Sequence, residues 1–135
     1  RVNNIALDAE LNGASAVVLN APTKTRFVQE LAQIIDIPIV LTIVSLDEAL
    51  EERMLNSGAS IINVSGGKNT VAIIKALRAI DKDFPIIATG GPSVETIKEV
   101  IQAGANAITY TPPTNGEIFK EMMERYRIQC SHHEE

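Results

Sequence analysis

The chain has 135 residues, of which 45% are hydrophobic and 21% charged, and its formal net charge is −5. These values are typical of a single globular domain. Acidic and basic residues are interspersed and aromatic residues make up only 4%, so a basic stripe or a stacking surface for nucleic acid is not expected. No apolar run reaches the ~18 residues of a membrane span. The single cysteine, Cys130, leaves no internal disulfide, and we expect a cytoplasmic protein.

Short apolar runs alternate with helical patterns along the whole chain. The runs occupy residues 16–19, 39–44, 61–64, 86–88 and 107–110. Their length and β-branched content are typical of parallel strands covered by helices. The stretches between them carry apolar residues at helical spacing. We therefore predict an α/β fold of about five parallel strands in the order α-β-α-β-α-β-α-β-α-β-α, with one domain over residues 1–130 and a polar tail over 131–135.

The spacing also predicts which helix residues face the core. Ser45 followed by Glu48 is a capping-box pattern and places a helix start there. The predicted buried stripes are Phe27, Leu31, Ile34 and Ile35; Leu46, Ala49, Leu50 and Met54; Ile73, Ala76, Leu77 and Ile80; Val94, Ile97 and Ile101; and Phe119, Met122, Met123 and Tyr126.

An internal repeat organises these elements. The segments "GASAVVLN", "GASIINVS" and "GANAITYT" begin at Gly13, Gly58 and Gly104, and "DIPIVLT" and "DFPIIAT" begin at Asp36 and Asp83. One β-α-β-α unit therefore recurs about every 46 residues, too long and too mixed in structure for a helical solenoid. Each repeat glycine is expected to end a helix in the left-handed conformation.

The two faces of the predicted strands differ in polarity. Side chains alternate along a strand, so one face is apolar. The other face carries neutral polar residues towards the carboxyl ends of the strands, namely Asn20, Thr42, Asn63, Thr89 and Thr109. An open sheet covered on both faces gives no reason for this asymmetry, whereas a barrel interior does. A partial (βα)8 barrel is the favoured architecture, and a flavodoxin-like three-layer fold is the alternative.

At these motifs the chain resembles a known group of enzymes. "GASAVVLNAP", "GASIINVSGG" and "PIIATGGPSVETIKEVIQAGANAITYTPP" resemble the later βα units, strands four to eight, of aldolase-type phosphate-binding TIM barrels. The resemblance covers residues 13–126. It implies an enzyme acting on a small phosphorylated or carboxylated metabolite, most commonly a lyase or an isomerase. In this group the seventh strand ends in a Gly-Gly turn that grips phosphate, which here is Gly90 and Gly91 before Ser93.

One departure limits what the resemblance implies. The turn after the last strand contains Pro112 and Pro113, which lack an N–H donor for phosphate.

A second, weaker resemblance is to response-regulator receiver domains, in the final "DFPIIATGG" and "AGANAITYTPP" segments. Receiver domains need acidic residues where this chain has Asn20 and Ser65. That second resemblance implies a non-catalytic, flavodoxin-like binding or regulatory domain.

Three groups of residues are candidates for ligand binding. Gly90, Gly91 and Ser93 precede a helix, where free N–H groups attract anions. A second glycine turn contains Gly66, Gly67 and Lys68, although it lacks the spacing of a Walker loop. Asn20, Asn63 and Thr89 offer neutral hydrogen-bonding groups to a pocket.

Catalytic groups and cofactors are not apparent in the sequence. No predicted strand contains a lysine for a Schiff base, and none ends in a carboxylate for acid–base or Mg²⁺ chemistry. Cys130, His132 and His133 lie in the polar tail without the spacing of a zinc site. The sequence therefore indicates a small anionic metabolite as the partner, assigns no catalytic residue or metal ligand, and names no cofactor.

The strand number has a consequence for assembly. Five strands cannot close an eight-stranded barrel, so the face bearing Val18, Val40 and Ile87 is expected to be partly exposed. Exposed strand edges and apolar faces favour association. We therefore expect a homo-oligomer or a part of a longer chain.

Overall fold

The computed structural model describes residues 2–21, 23–89, 94–109 and 115–133. Within these residues, helices and strands alternate in the predicted order, with one short 3-10 helix, Gly67–Asn69, added before the fourth α-helix. The helices are α1 (Val2–Leu11), α2 (Thr25–Ile34), α3 (Leu50–Leu55), α4 (Thr70–Ile80), α5 (Val94–Ala103) and α6 (Asn115–His133). The strands are β1 (Val17–Leu19), β2 (Ile39–Ile43), β3 (Ile61–Val64), β4 (Ile86–Thr89) and β5 (Ala107–Thr109). The predicted α/β class is confirmed.

The five strands form one sheet in which each strand pairs with its neighbour in sequence. All four pairings are parallel, and the order is β1-β2-β3-β4-β5. Right-handed crossovers that never reverse direction place their helices on one face of the sheet. A flavodoxin-like sheet, by contrast, has the order 2-1-3-4-5 and reverses at a switch point.

The burial of strand residues differs between the two faces of the sheet. On the helix-covered face, Leu41, Ile62 and Ile86 are fully buried within the main hydrophobic core. On the other face, which we term the open face, Val18 is 57% exposed and Ile87 is half-buried. The predicted exposure of this face is therefore confirmed at its edge.

The same prediction is wrong for Val40, which is only 5% exposed. Its register explains the difference, because Val40 lies between Val18 on one neighbouring strand and Ile61 on the other. Cross-strand neighbours on the same face approach closely enough to cover a side chain of this size. Val40 is therefore covered by its neighbours on the adjoining strands, which an edge residue such as Val18 lacks on one side.

Several helices are rotated from the predicted stripes. In α2 and its C-terminal cap, Val28, Leu31 and Ile35 are buried, whereas Phe27 and Ile34 are about half exposed. Both sets of residues have helical spacing, so the pattern alone could not choose between the two adjacent faces. Further corrections of this kind are Val100 buried in place of Ile101 in α5 and Ile74 added to the buried side of α4. The predicted stripe of α6 is wrong without any rotation, because Phe119, Met122, Met123 and Tyr126 are exposed and so are Ile118 and Ile128.

The capping-box residues close a loop and do not start a helix. The Glu48 Oε2 atom accepts the backbone N–H groups of Val44 and Ser45, both at 2.7 Å. The chain then passes through Ala49, whose φ of 51° is left-handed, and α3 begins only at Leu50. The backward bond of a capping box is thus formed in a turn, and the predicted stripe residue Leu46 is exposed in that turn.

The repeat glycines adopt the predicted conformation. Gly13, Gly58 and Gly104 have φ values of 91°, 89° and 122°, a region that residues with a Cβ rarely occupy. Gly58 also allows a close approach, because a Cβ atom there would lie 2.8 Å from the Cβ of Ala32. The repeat therefore specifies both where the helix ends and how closely the following turn packs against α2.

Candidate functional site

A chain of polar side chains crosses the open face near the carboxyl ends of four strands. Thr42 lies opposite Asn63 on the neighbouring strand, and Thr89 lies opposite Thr109. Asn63 Nδ2 donates to Thr42 Oγ1 at 3.3 Å, and Thr89 Oγ1 donates to Asn63 Oδ1 at 3.4 Å. The hydroxyl oxygens of Thr89 and Thr109 are 3.3 Å apart. We term these four residues the polar ladder; its position confirms that the threonines share a face with Asn63.

The ladder becomes more accessible from β2 to β5. Thr42 is 5% exposed, Asn63 is half-buried, and Thr89 and Thr109 are exposed. Its hydrogen bonds are longer than the ~2.8 Å typical of hydroxyl donors and the ~2.9 Å typical of amide donors, and they are correspondingly weak. Asn63 and Thr109 also retain acceptor or donor capacity beyond these bonds. The outer end of the ladder can therefore exchange its internal bonds for bonds to a ligand at little cost.

A cleft adjoins the outer end of the ladder. It has a volume of about 480 Å³ and lies between the turn after β3, the end of β4 and helix α5. Its lining residues are Ser65, Gly67, Lys68, Thr70, Val71, Thr89, Thr96, Glu99 and Val100. The cleft thus brings together Gly67, Lys68 and Thr89, three of the residues proposed from the sequence as ligand contacts.

The two glycines of the turn after β3 have different roles. The Gly66 N–H donates to Thr70 Oγ1 at 3.0 Å, and a Cβ on Gly66 would lie 2.6 Å from Ile73 Cδ1. Gly66 is therefore engaged in closing the turn onto α4. Gly67 has a φ of 58° and open space around its Cα. Its backbone, together with Lys68, is the part of this turn that a ligand in the cleft can reach.

The cleft carries charges of both signs. Lys68 and Glu99 both line it and both are exposed. The ammonium group of Lys68 favours an anionic ligand, and the carboxylate of Glu99 opposes it. Thr96 and Glu99 were not predicted as site residues because they lie within an ordinary amphipathic helix pattern. Their spacing of three residues places them on adjacent turns of one face of α5, the helix that follows β4. This spacing is the sequence signal that could have identified them.

A buried arginine holds two loops together at the same edge of the sheet. Arg53 is 9% exposed; its Nη2 atom donates to the carbonyl oxygen of Thr23 and lies 3.7 Å from Glu48 Oε1. Thr23 belongs to the loop after β1, and Glu48 belongs to the loop after β2. Arg53 therefore positions the loops beside the candidate site. Asn20 is exposed directly after β1 and takes no part in the ladder.

The remaining sequence candidates have no described position. Gly90, Gly91 and Ser93 lie outside the described residues, as do Pro112 and Pro113, and the side chains of Cys130, His132 and His133 are likewise not described. Among the residues that are described, no group of three His, Cys, Asp or Glu could hold a metal ion. No helix in that part of the chain is long and apolar enough to cross a bilayer.

Comparison with known proteins gives no assignment. No model of a known protein family matches this sequence, and no curated protein matches it. Function must consequently be inferred from the sheet, the polar ladder and the cleft.

Proposed function

We propose that this chain forms strands four to eight of an aldolase-type (βα)8 barrel and that its carboxyl edge binds a small phosphorylated or carboxylated metabolite. The observation that carries the proposal is the polar ladder, which lies near the carboxyl ends of sequentially ordered parallel strands on the open face. In (βα)8 barrels this is the face that lines the interior and the end that holds the active site.

The chemistry of the site suits a small polar anion. The ladder supplies neutral hydroxyl and amide groups, which match the hydroxyl and carbonyl groups of a metabolite. Lys68 and the exposed backbone of Gly67 supply the positive end of the site at the adjoining cleft. A ligand spanning both would place its anionic group beside Lys68 and its uncharged part on Thr89 and Thr109.

Catalysis would be of the lyase or isomerase kind, but its acid and base are not assigned to the ladder. None of the five described strands contains a charged residue. Proton transfer or a covalent nucleophile therefore requires groups from the loops or from further units of the barrel. The five-stranded sheet is proposed as the binding half of such a site.

The open face also requires a cover. Val18 is 57% exposed there, and β1 and β5 each have an unpaired edge within the described sheet. We propose that further βα units of a longer chain, or a second copy of this chain, cover this face. Light scattering on the 135-residue chain should show association; a monodisperse monomer that binds no hydrophobic dye would contradict this proposal.

A non-catalytic flavodoxin-like or receiver-like binding domain is the weaker proposal. The number of parallel strands suits it, since such domains also have five. The strand order does not, because a flavodoxin-like sheet reverses direction after its first strands. Its helices would also cover both faces, which disagrees with the exposure of Val18 and Thr109 on one of them.

Phosphate titration followed by amide NMR tests the binding proposal. Inorganic phosphate should shift the amide signals of Gly67, Lys68 and Thr89, and those of Gly90, Gly91 and Ser93 if the predicted grip is formed. Lys68→Ala should weaken binding, whereas Lys75→Ala is the matched control, because Lys75 is exposed on the neighbouring helix α4 but does not line the cleft. Equal effects of the two variants, or shifts confined to other turns, would contradict the proposal.

A further inference from the structure

The repeat creates two equivalent places at the amino end of the sheet, and they are filled differently. At one, Arg78 of α4 faces Gly104; a Cβ on that glycine would lie 2.7 Å from Arg78 Cγ. At the other, Ala32 of α2 faces Gly58, with the corresponding distance of 2.8 Å. Ala32 precedes its glycine by as many residues as Arg78 precedes Gly104. The same backbone site is thus occupied by a long cationic side chain in one unit and by a methyl group in the other.

In the occupied unit the guanidinium group is surrounded by oxygen atoms. Arg78 Nε donates to the carbonyl oxygen of Gly104 at 2.9 Å. Nη1 donates to the carbonyl oxygens of Asp81 and Phe84 at 3.1 and 2.7 Å, and Nη2 donates to Asn106 Oδ1 at 2.8 Å. The oxygens are arranged to match the planar fork of a guanidinium ion.

Each of these four partners has a counterpart in the other unit. The counterparts in order are Ile35 for Asp81, Ile37 for Phe84, Gly58 for Gly104 and Ser60 for Asn106. Shared local structure supports the matching. The two helix caps, Ile35 and Asp81, both donate their N–H to the carbonyl four residues before. Ser60 and Asn106 both donate their backbone N–H to the first residue of the preceding strand, at 2.9 and 2.8 Å.

The four counterparts surround a cavity where the arginine side chain would be. The cavity has a volume of about 200 Å³, and Ala32 lines it together with all four of them. Among the described residues, no donor contacts the carbonyl oxygens of Ile37 and Gly58. Asp36 also lines the cavity and adds a carboxylate. Fixed carbonyl oxygens without protein donors, beside a negative charge, form a site for a cationic hydrogen-bond donor.

We propose that this cavity is a binding site for a guanidinium cation, carried either by a small guanidino compound or by the arginine side chain of a peptide. The choice of cation rests on the equivalent site, which holds the guanidinium group of Arg78. An ammonium ion fits less well, since its three donors point along tetrahedral directions and do not reproduce the planar fork of a guanidinium ion. The site is at the opposite end of the sheet from the polar ladder, and the inference does not depend on the proposed function.

An amide NMR titration of the unaltered chain tests this proposal directly. Methylguanidinium chloride should give saturable shifts at Ile37, Gly58 and Ser60, and methylammonium chloride at equal ionic strength should bind about tenfold more weakly, a difference of ~1.4 kcal/mol. Acetyl-Gly-Arg-Gly-amide distinguishes the two sources: tighter binding than methylguanidinium indicates an arginine side chain, and weaker binding indicates a small guanidino compound. Equal affinity for methylammonium, or no saturable shift at these three residues, would overturn the proposal.

Two variants supply independent readouts. Ala32→Arg places the missing side chain in the cavity and should abolish the methylguanidinium shifts at Gly58 and Ser60. Arg78→Ala should open a second cavity, so that methylguanidinium also shifts Phe84, Gly104 and Asn106. If Ala32→Arg retains the native spectrum and still binds methylguanidinium at Gly58, the ion binds elsewhere and the proposal is wrong. If neither variant folds, the titration of the unaltered chain still decides.

Discussion

The two ends of the parallel sheet use polar groups in opposite ways. At the amino end, Arg78 donates four hydrogen bonds of 2.7–3.1 Å and ties α4 to the turns that precede β4 and β5. At the carboxyl end, the polar ladder has bonds of 3.3–3.4 Å, and its outer members, Thr89 and Thr109, are exposed. The polar groups around Arg78 satisfy one another's hydrogen bonds, whereas the outer residues of the polar ladder retain hydrogen-bonding capacity for a ligand. This difference agrees with the proposed (βα)8 barrel, in which one end of the sheet would stabilise the fold and the other would bind the ligand.

The largest expected effect is at Gly104. Its φ of 122° and the 2.7 Å approach of Arg78 leave no room for a side chain. Gly104→Ala should lower the free energy of unfolding by about 3 kcal/mol, because backbone strain adds to the loss of the arginine contacts. Gly116→Ala is the control: this glycine lies in α6, and a Cβ added to it would meet nothing within 4 Å. Urea unfolding of the two variants measures both free energies of unfolding. Similar losses for Gly104→Ala and Gly116→Ala would contradict the special role of Gly104.

Removal of the arginine itself should have a smaller effect. Arg78→Ala leaves several half-buried carbonyl oxygens without a protein donor, and we expect a loss of about 2 kcal/mol. The matched control is Arg26→Ala, because Arg26 is 88% exposed in its side chain and forms only a 3.3 Å helix ion pair with Glu30. Such a pair contributes roughly 0.5 kcal/mol. Thermal unfolding at two salt concentrations distinguishes the two variants, since only the stability loss of Arg26→Ala should depend on salt.

The ladder should show a gradient of stability effects. Thr42→Val removes the hydroxyl that accepts from Asn63 at the buried end, and we expect a loss of about 1 kcal/mol. Thr109→Val, at the exposed end, should leave stability unchanged because water replaces the lost bond. Ligand binding should show the reverse order, with Thr109→Val the more harmful. Equal stability losses at the two positions would show that the ladder is a purely structural layer.

The sequence predicted the order of elements and the ladder because both depend on local periodicity. Period-two alternation placed Asn63 and Thr109 on one face, the repeat pattern assigned Thr42 and Thr89 to the same face, and the repeat glycines marked the helix ends. The prediction of buried residues failed where two adjacent faces of a helix both have apolar residues at helical spacing, because tertiary packing then decides which face is buried. Phe27 and Val28 lie on adjacent faces of α2, and only the sheet decides which is buried.

The cleft and the arginine network were not predictable by the same means. Glu99 resembles any exposed helix residue until α5 is placed beside the turn that contains Lys68. Arg78 forms its bonds to oxygen atoms of segments up to 28 residues away, and the identity of a residue whose carbonyl is used carries no sequence signal. Hydrogen bonds to backbone oxygens, such as those of Arg78, are therefore visible only in the folded structure.

The central claim, that the carboxyl edge binds a small anion, is tested most directly by phosphate affinity in a pair of opposite charge variants. Lys68→Ala removes the positive charge of the cleft, and Glu99→Gln removes the negative one. For exposed groups of this kind we expect changes of roughly two- to fivefold, with weaker binding for Lys68→Ala and tighter binding for Glu99→Gln. Affinities that stay equal to that of the unaltered chain in both variants would contradict the claim.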